Sequence, residues 1–286
     1  MHKNQREEAT IAIIGAGIAG LSCATRLKAL GFQVQLYEKS YGVSGRMSTR
    51  KTENWSGDHG AQYFTARDPL FIDQVNEWID SDVAAIWNPR LKVFKENQWQ
   101  DSAPTENRYV GTPAMNSPGK HLTKTLPIEF NQTIEAFGID ANMQGCWTVI
   151  ANFRDQLNLP FDAAFINDEI ISWISRNNSK PSRTGLETWI IHANPTWSQE
   201  WIELDKDQAA QLILNCAKGL GLDCEKAKIT IHRWRYASGH TTQILGYRLR
   251  EDLKLGFCGD WLNGGRVEGA WLSGYQLACQ IDSTNK

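Results

Sequence analysis

Apolar and polar residues change their spacing several times along the chain, and each change marks an element. The β-branched run Thr10-Ile11-Ala12-Ile13-Ile14 predicts a strand, and Gly15-Ala16-Gly17-Ile18-Ala19-Gly20 interrupts it. Apolar residues then recur at Leu21, Ala24, Leu27 and Leu30, one face of a helix, which Gly31 closes. Val34-Gln35-Leu36-Tyr37-Glu38 restores strand spacing, completing a βαβ unit. Residues 39–50 are too rich in glycine and polar side chains for a regular element. A helix is predicted over 68–79 with Pro69 in its first turn, and a hairpin over 91–101 around Glu96-Asn97. Ser117 as N-cap and Pro118 at the first position predict a short helix. The second half reads as strands over 146–153, 163–167, 170–176, 187–193 and 228–236, an antiparallel sheet interrupted by one clear helix over 207–218. A short buried strand over 254–260 and a helix over 268–281 close the chain. Its ends are therefore α/β and its middle β-rich.

The glycine spacing has a physical cause. Gly15 permits the tight turn out of the strand, Gly17 lets backbone approach a pyrophosphate, and Gly20 lets helix pack closely on strand. Gly15, Ala16, Gly17, Ile18, Ala19 and Gly20 together make a phosphate turn at a helix N-terminus, where free N–H groups and the dipole favour anions. Glu38 lies 18 residues after Gly20, placed for its carboxylate to accept hydrogen bonds from both hydroxyls of an adenine ribose, and an acid there disfavours a 2′-phosphate.

Composition narrows the class without naming a substrate. The 286 residues carry 30 Lys plus Arg against 32 Asp plus Glu, with no long run of either sign, so no nucleic-acid or anionic-membrane partner is expected. No apolar run is long enough to span a bilayer and residues 1–8 are polar, so a cytoplasmic location is expected. The cysteines, Cys23, Cys146, Cys216, Cys224, Cys258 and Cys279, form no metal-ligand or dithiol spacing, and no metal is expected. Twelve tryptophans fall mostly outside the dinucleotide motif and fit either a large apolar pocket, a Trp-rich sheet or plain core filling.

Three distant segments belong together: the glycine turn, Gly45-Arg46, and Phe257-Cys258-Gly259-Asp260 running on to Glu268-Gly269-Ala270. This set resembles the glutathione-reductase-like and amine-oxidase-like flavoproteins. Closer still, Gly45-Arg46-Met47-Ser48-Thr49-Arg50, Asp58-His59-Gly60-Ala61-Gln62-Tyr63-Phe64-Thr65-Ala66-Arg67, Asn178-Ser179-Lys180-Pro181 and Arg233-Trp234-Arg235-Tyr236-Ala237 resemble the bacterial renalase-like FAD oxidoreductases from about Thr10 to Gln280. The resemblance implies a Rossmann-like FAD-binding domain of glutathione-reductase type, residues 1–66, 105–135 and 253–286, with a β-rich substrate domain, residues 67–104 and 136–252. It implies that Lys39, Gly45, Arg46, Met47, Gly60, Ala61 and Gln62 line the dinucleotide. Gly259 and Asp260 would meet its ribityl-phosphate region, and Glu268, Gly269 and Ala270 would aim a helix N-terminus at the flavin. The chain departs from the family at residues 128–144, where a block supplying the next parallel strand and part of the adenine pocket is missing. Either the shortening is tolerated or FAD binds poorly.

The resemblance further implies oxidation of dihydronicotinamide nucleotides, NAD(P)H or its isomers, by noncovalent FAD, with dioxygen as acceptor and hydrogen peroxide as product. With only one nucleotide fingerprint, a nicotinamide substrate must stack directly on the flavin. No side-chain base is obligatory for hydride transfer. Substrate-face candidates are Gln62, Tyr63, Asn178, Lys180, His192, Arg235 and His240; for each histidine a surface or core role stands beside the functional one. Arg233 and Arg235 alternate with Trp234 and Tyr236, which also fits a strand with one solvated basic face. An amine oxidase or desaturase of the same broad fold, a degenerate flavoprotein and an NAD-dependent dehydrogenase remain as alternatives. The oligomeric state is left open.

Overall fold

In the computed structural model, which describes residues 10–103, 105–134, 143–239 and 244–284, the βαβ unit forms as its spacing predicts. Strand β1 (Thr10–Ile14) and strand β2 (Gln33–Glu38) pair in parallel, with Ile13 opposite Leu36. Helix α1 (Ile18–Ala29) connects them, and Gly31 leaves it at φ +89°, a left-handed conformation that glycine adopts without strain. Strand β9 (Ile128–Phe130) adds in parallel to β2, placing Ile128 beside Leu36. Among the described residues the sheet stops at these three strands, and β1 pairs with β2 alone, leaving Ile14 56% exposed. Part of the shortened segment, residues 135–142, lies outside the described residues.

Two expectations change here. The end of the Gly-Arg loop is not irregular: β3 (Thr49–Lys51) pairs antiparallel with β4 (Ser56–Asp58). The late strand β16 (Leu255–Cys258) is not fully buried. It pairs only with β15 (Tyr247–Arg250) as an antiparallel hairpin, one side of which is covered where Gly256 meets Leu277.

The second sheet has seven strands in the order β14-β10-β13-β12-β11-β6-β7. Its members are β6 (Leu91–Lys95), β7 (Gln98–Asp101), β10 (Met143–Phe153), β11 (Ala163–Ile166), β12 (Ile171–Arg176), β13 (Glu187–Ala193) and β14 (Lys228–Gly239). The five strands of the second half are mutually antiparallel as predicted, whereas the earlier hairpin joins by a parallel pairing of β6 with β11. That hairpin turns through Glu96 and Asn97, both at positive φ, as a two-residue turn matched to strand twist requires. A further short pair, β5 (Ala84–Ile86) and β8 (Tyr109–Gly111), flanks this hairpin in sequence and runs antiparallel as a separate two-stranded sheet.

Helix α2 (Pro69–Asp80) is capped by Asp68, which accepts the Leu70 N–H at 2.9 Å, and buries Phe71, Val75 and Trp78. Helix α3 (Ser117–Leu122) begins one residue earlier than expected: Asn116 holds the N-cap position, and the Ser117 hydroxyl instead accepts the Ala114 N–H. A short helix α4 (Pro195–Glu200) precedes α5 (Lys206–Gly219), whose Ala209, Ile213 and Ala217 cover one face of the large sheet with Trp147 and Trp189. The last helix, α6 (Val267–Thr284), packs along α1. Ser22 donates to the Trp271 carbonyl at 2.8 Å across that contact. Most tryptophans fill these cores. No helix among the described residues is long and apolar enough to cross a membrane.

The α1/α6 contact depends on an absent side chain. A Cβ at Gly274 would overlap the Ala19 carbonyl, which is backbone and cannot step aside, whereas a Cβ at Gly219 meets open space. Gly274→Val is expected to destabilise the protein by about 1–3 kcal/mol or more, and Gly219→Ala to be neutral or stabilising by up to about 1 kcal/mol, both read from urea unfolding.

Candidate functional site

The glycine turn has the geometry its spacing demands. Gly15 turns at φ +95° and donates its N–H to the Tyr37 carbonyl at 2.8 Å. A Cβ at Gly20 would overlap the Gly15 carbonyl, so only glycine allows α1 to sit this close. At Gly17, the N-cap of α1, a Cβ would meet nothing within 4 Å, so bare backbone faces open space. Glu38 is directed at this turn: Oε2 accepts the Ala16 N–H at 2.7 Å, and Oε1 accepts the Ser40 N–H at 2.9 Å and its hydroxyl at 2.6 Å. A carboxylate has about four acceptor positions, so one remains on Oε2. Lys39 is exposed, and Met47 is buried in the core.

The Gly-Arg loop is zipped onto the turn. Ser44 bridges to Gly17 and donates its N–H to the Ala16 carbonyl at 2.8 Å, and Gly45 lies against Gly17. Gly60 packs on the Arg46 carbonyl, which also accepts the Ala61 N–H at 2.8 Å. From the other end of the chain, Asp260 meets the Arg46 guanidinium in a two-pronged ion pair of 2.8 and 2.5 Å, and Arg46 also donates to the Ala237 carbonyl at 3.0 Å. Gly264 and Gly265, both at positive φ, turn the chain into α6. The Ala270 N–H is already given to the Arg266 carbonyl, which corrects the expectation that it faces a ligand. Val267, Glu268 and Gly269 are left, among the described residues, as the helix N–H groups without a partner. The Glu268 carboxylate turns away to α2, accepting the N–H groups of Arg67 and Asp68 at 2.6 and 2.7 Å.

The turn-and-loop assembly fits a dinucleotide on observations of its own: the open approach at Gly17, the spare acceptor on Glu38, and Arg46 held beside the turn. Two surface cavities of about 320 and 260 Å3 lie elsewhere, beside Trp87 and beside Tyr275.

A second group of polar residues is buried next to the loop. Asp58 ends β4, and its Oδ2 receives Lys180 Nζ at 3.1 Å and Arg183 Nη2 at 2.7 Å; Oδ1 accepts the Thr49 hydroxyl at 2.6 Å. All three charged side chains are fully buried. Burial alone would raise the Asp58 pKa, but Lys180, Arg183 and the Thr49 hydroxyl bring it down to about 2. Burial pushes Lys180 down to about 8 against the pull of Asp58. Gln62 closes the network: its Oε1 accepts from the Ser175 hydroxyl at 2.7 Å and from Lys180 at 3.2 Å, and its amide donates to the carbonyls of Asp58 and Gly60. The His59 carbonyl accepts Trp234 Nε1 at 3.0 Å and lies 3.2 Å from His192 Nε2. The His59 ring stacks on Trp234 and meets His232 edge-on. Burial lowers His59, His192 and His232 each to about 4, with Arg50 adding to the effect at His59 and His232, so all three are neutral at pH 7.

The structure thus gathers Gln62, Lys180 and His192 and separates the other candidates. Asn178 pins its own loop, accepting the Thr188 N–H and donating to the Gly185 carbonyl. Arg235 corrects its reading as a substrate-face residue: with Arg233 it pairs with Glu203 on an exposed face, the solvated basic face of the alternative reading. Tyr63 joins an aromatic group with Trp87 and Trp173 at 6.3 and 5.7 Å. His240 lies outside the described residues. Sequence reasoning missed Asp58, Arg183, His59 and His232 as members of one cluster. Asp58 and His59 stand in a string already singled out, but nothing in their local spacing names partners more than 100 residues away.

Residues 13–78 match the family described as NAD(P)-binding Rossmann-like domain. Over 50 residues the chain is 48% identical to a 4,4'-diapophytoene desaturase (4,4'-diaponeurosporene-forming) of Staphylococcus haemolyticus, covering 18% of this chain and 10% of that protein. Over 95 residues it is 38% identical to a 1-hydroxycarotenoid 3,4-desaturase of Flavobacterium sp., covering 33% and 19%. The chain therefore matches only a tenth to a fifth of the length of these relatives. Whole-chain similarity is found among solved structures. A "Putative protoporphyrinogen oxidase" from Exiguobacterium sp. 255-15 superposes with a TM-score of 0.78 at 12% identity, covering 97% of this chain and 99% of that one. Putrescine oxidase bound to putrescine gives 0.70 at 12%, covering 96% and 100%, and reduced UDP-galactopyranose mutase 0.71 at 11%, covering 96% of each. Residues 13–78 are thus similar to an NAD(P)-binding Rossmann-like domain, and the whole chain shares its fold with these oxidases and this mutase.

Removing the Asp58 charge leaves two buried cations facing a neutral amide. Asp58→Asn is expected to cost about 3–5 kcal/mol in urea unfolding. The histidines give a pH dependence of definite sign: each is harder to protonate folded than unfolded, so unfolding takes up protons in acid. Their stability contribution is complete above pH 6.5 and falls as the pH drops from 6.5 toward 4. The thermal midpoint followed by circular dichroism should decline across that window, and His232→Gln should flatten part of the decline.

Proposed function

We propose that this chain is an FAD-dependent oxidoreductase that oxidises dihydronicotinamide nucleotides, NAD(P)H or its isomers, with dioxygen as acceptor and hydrogen peroxide as product. The observation that carries the flavin part is convergence: the glycine turn, Glu38, the Gly-Arg loop and the late Gly-Asp turn, distant in sequence, are joined by the Gly17–Ser44 bridge and the Arg46–Asp260 ion pair. FAD, when bound, supplies the acceptor for a hydride and the route for its electrons to dioxygen. The α1 N-terminus receives the pyrophosphate at Gly17. The remaining acceptor on Glu38 takes a ribose hydroxyl, and Arg46 and Asp260 hold the stretch between phosphate and ring. The unpartnered N–H groups of Val267, Glu268 and Gly269 favour negative charge at the start of α6.

The nicotinamide part rests on the resemblance, and here a second reading has support. A nucleotide substrate needs cations at the mouth of its site, yet Lys180 is committed to Asp58 and Arg235 to Glu203. The grouping of Tyr63, Trp87 and Trp173 instead favours an amine or apolar substrate, as in an amine oxidase or desaturase.

The purified protein should show flavin absorption, or acquire it on adding FAD. Under anaerobic conditions the bands should bleach with dihydronicotinamide and return in air with one hydrogen peroxide per substrate oxidised. Bleaching by putrescine but not by dihydronicotinamide would decide for the second reading, and failure to take up FAD would remove both.

A further inference from the structure

Arg108 is a buried arginine without an anion. It is 8% exposed, its Nε is buried with no hydrogen-bond partner, and among the described residues no carboxylate pairs with its guanidinium. Its position is fixed from two sides. The antiparallel pairing of β5 with β8 sets Ile86 opposite Tyr109, so the Trp87 N–H reaches the Arg108 carbonyl at 2.7 Å. The guanidinium carbon lies 5.4 Å from the centre of the Tyr63 ring. A ring face attracts a cation but supplies no hydrogen-bond acceptor in the guanidinium plane. Burying a charge without an ionic partner is costly, and an anion placed beside it would offset that cost.

Arg108 also lines the 320 Å3 cavity, with Trp87, Pro89 and Leu91 as apolar wall and Ser102 and Asn107 as polar wall. This is at the lower end of the range for small-molecule sites. We propose that the cavity binds a small monoanionic carboxylate on a flat apolar body, its carboxylate taken by Arg108 and its body laid against Pro89. Guanidinium and carboxylate match as planar two-pronged partners. Glu106, on the same wall and 2.6 Å from Arg67, opposes a doubly charged phosphate more than a single carboxylate. The site stands without the redox reading, because nothing in it depends on a bound flavin.

The test is calorimetric titration of the purified protein, with or without FAD, using benzoate, its neutral isostere benzamide, and inorganic phosphate. Benzoate should bind with one-to-one saturation, at least tenfold tighter than benzamide, and Arg108→Gln should weaken benzoate at least tenfold while leaving the circular dichroism spectrum unchanged. If Arg108→Gln misfolds, the benzoate-to-benzamide ratio on the unmodified protein decides alone. Equal binding of benzamide, unchanged binding by a folded Arg108→Gln, or phosphate binding tighter than benzoate would each overturn the proposal. Flavin uptake is read separately from the visible spectrum, so its failure leaves this outcome interpretable.

Discussion

Asp58 sits with Lys180 and Arg183 where water cannot reach any of the three, and the arrangement of the neighbouring loops follows from that. Taking a carboxylate and two cations out of water costs several kcal/mol per ion, and only close pairing with further hydrogen bonds compensates. The Thr49 hydroxyl, the Met115 N–H and the Gln62 amide provide those bonds, so β3, β4 and the turn after β12 are fixed relative to one another. The segment leaving Asp58 inherits this rigidity: Gly60 seats against Arg46, and the Arg46 loop is thereby pressed between the buried ions and the glycine turn. The ion cluster is a positioning device for the Gly-Arg loop, with no requirement that it take part in chemistry.

The side of the molecule built on the first βαβ unit is spare by comparison. Its parallel sheet holds three strands among the described residues, β1 lies at an edge with Ile14 largely in solvent, and the late hairpin of β15 and β16 joins the fold through α6. Among the described residues β1 has no second neighbour, and the contact of α1 with α6 holds the two ends of the chain together. Gly274 at that helix contact and the Ser22 bond to Trp271 carry what a wider sheet would otherwise share. The glycine turn and the Glu38 carboxylate that faces it are local to the first βαβ unit, so their geometry does not depend on the width of the sheet.

By itself the sequence determined what depends on near neighbours. Gly15, Gly17 and Gly20 dictate the turn because each backbone constraint is satisfied within six residues, and Glu38 follows at the end of the next strand by chain geometry alone. The strands of the second half, their antiparallel order and the hairpin at Glu96-Asn97 were readable for the same reason. Only the tertiary structure decided the rest. The partners of Asp58 lie 122 and 125 residues away, Arg235 chose Glu203 across an exposed face, and Arg108 was left without an anion among the described residues. Charges find partners by proximity in space, which sequence spacing does not encode, whereas turns and helices are settled by the stereochemistry of consecutive residues.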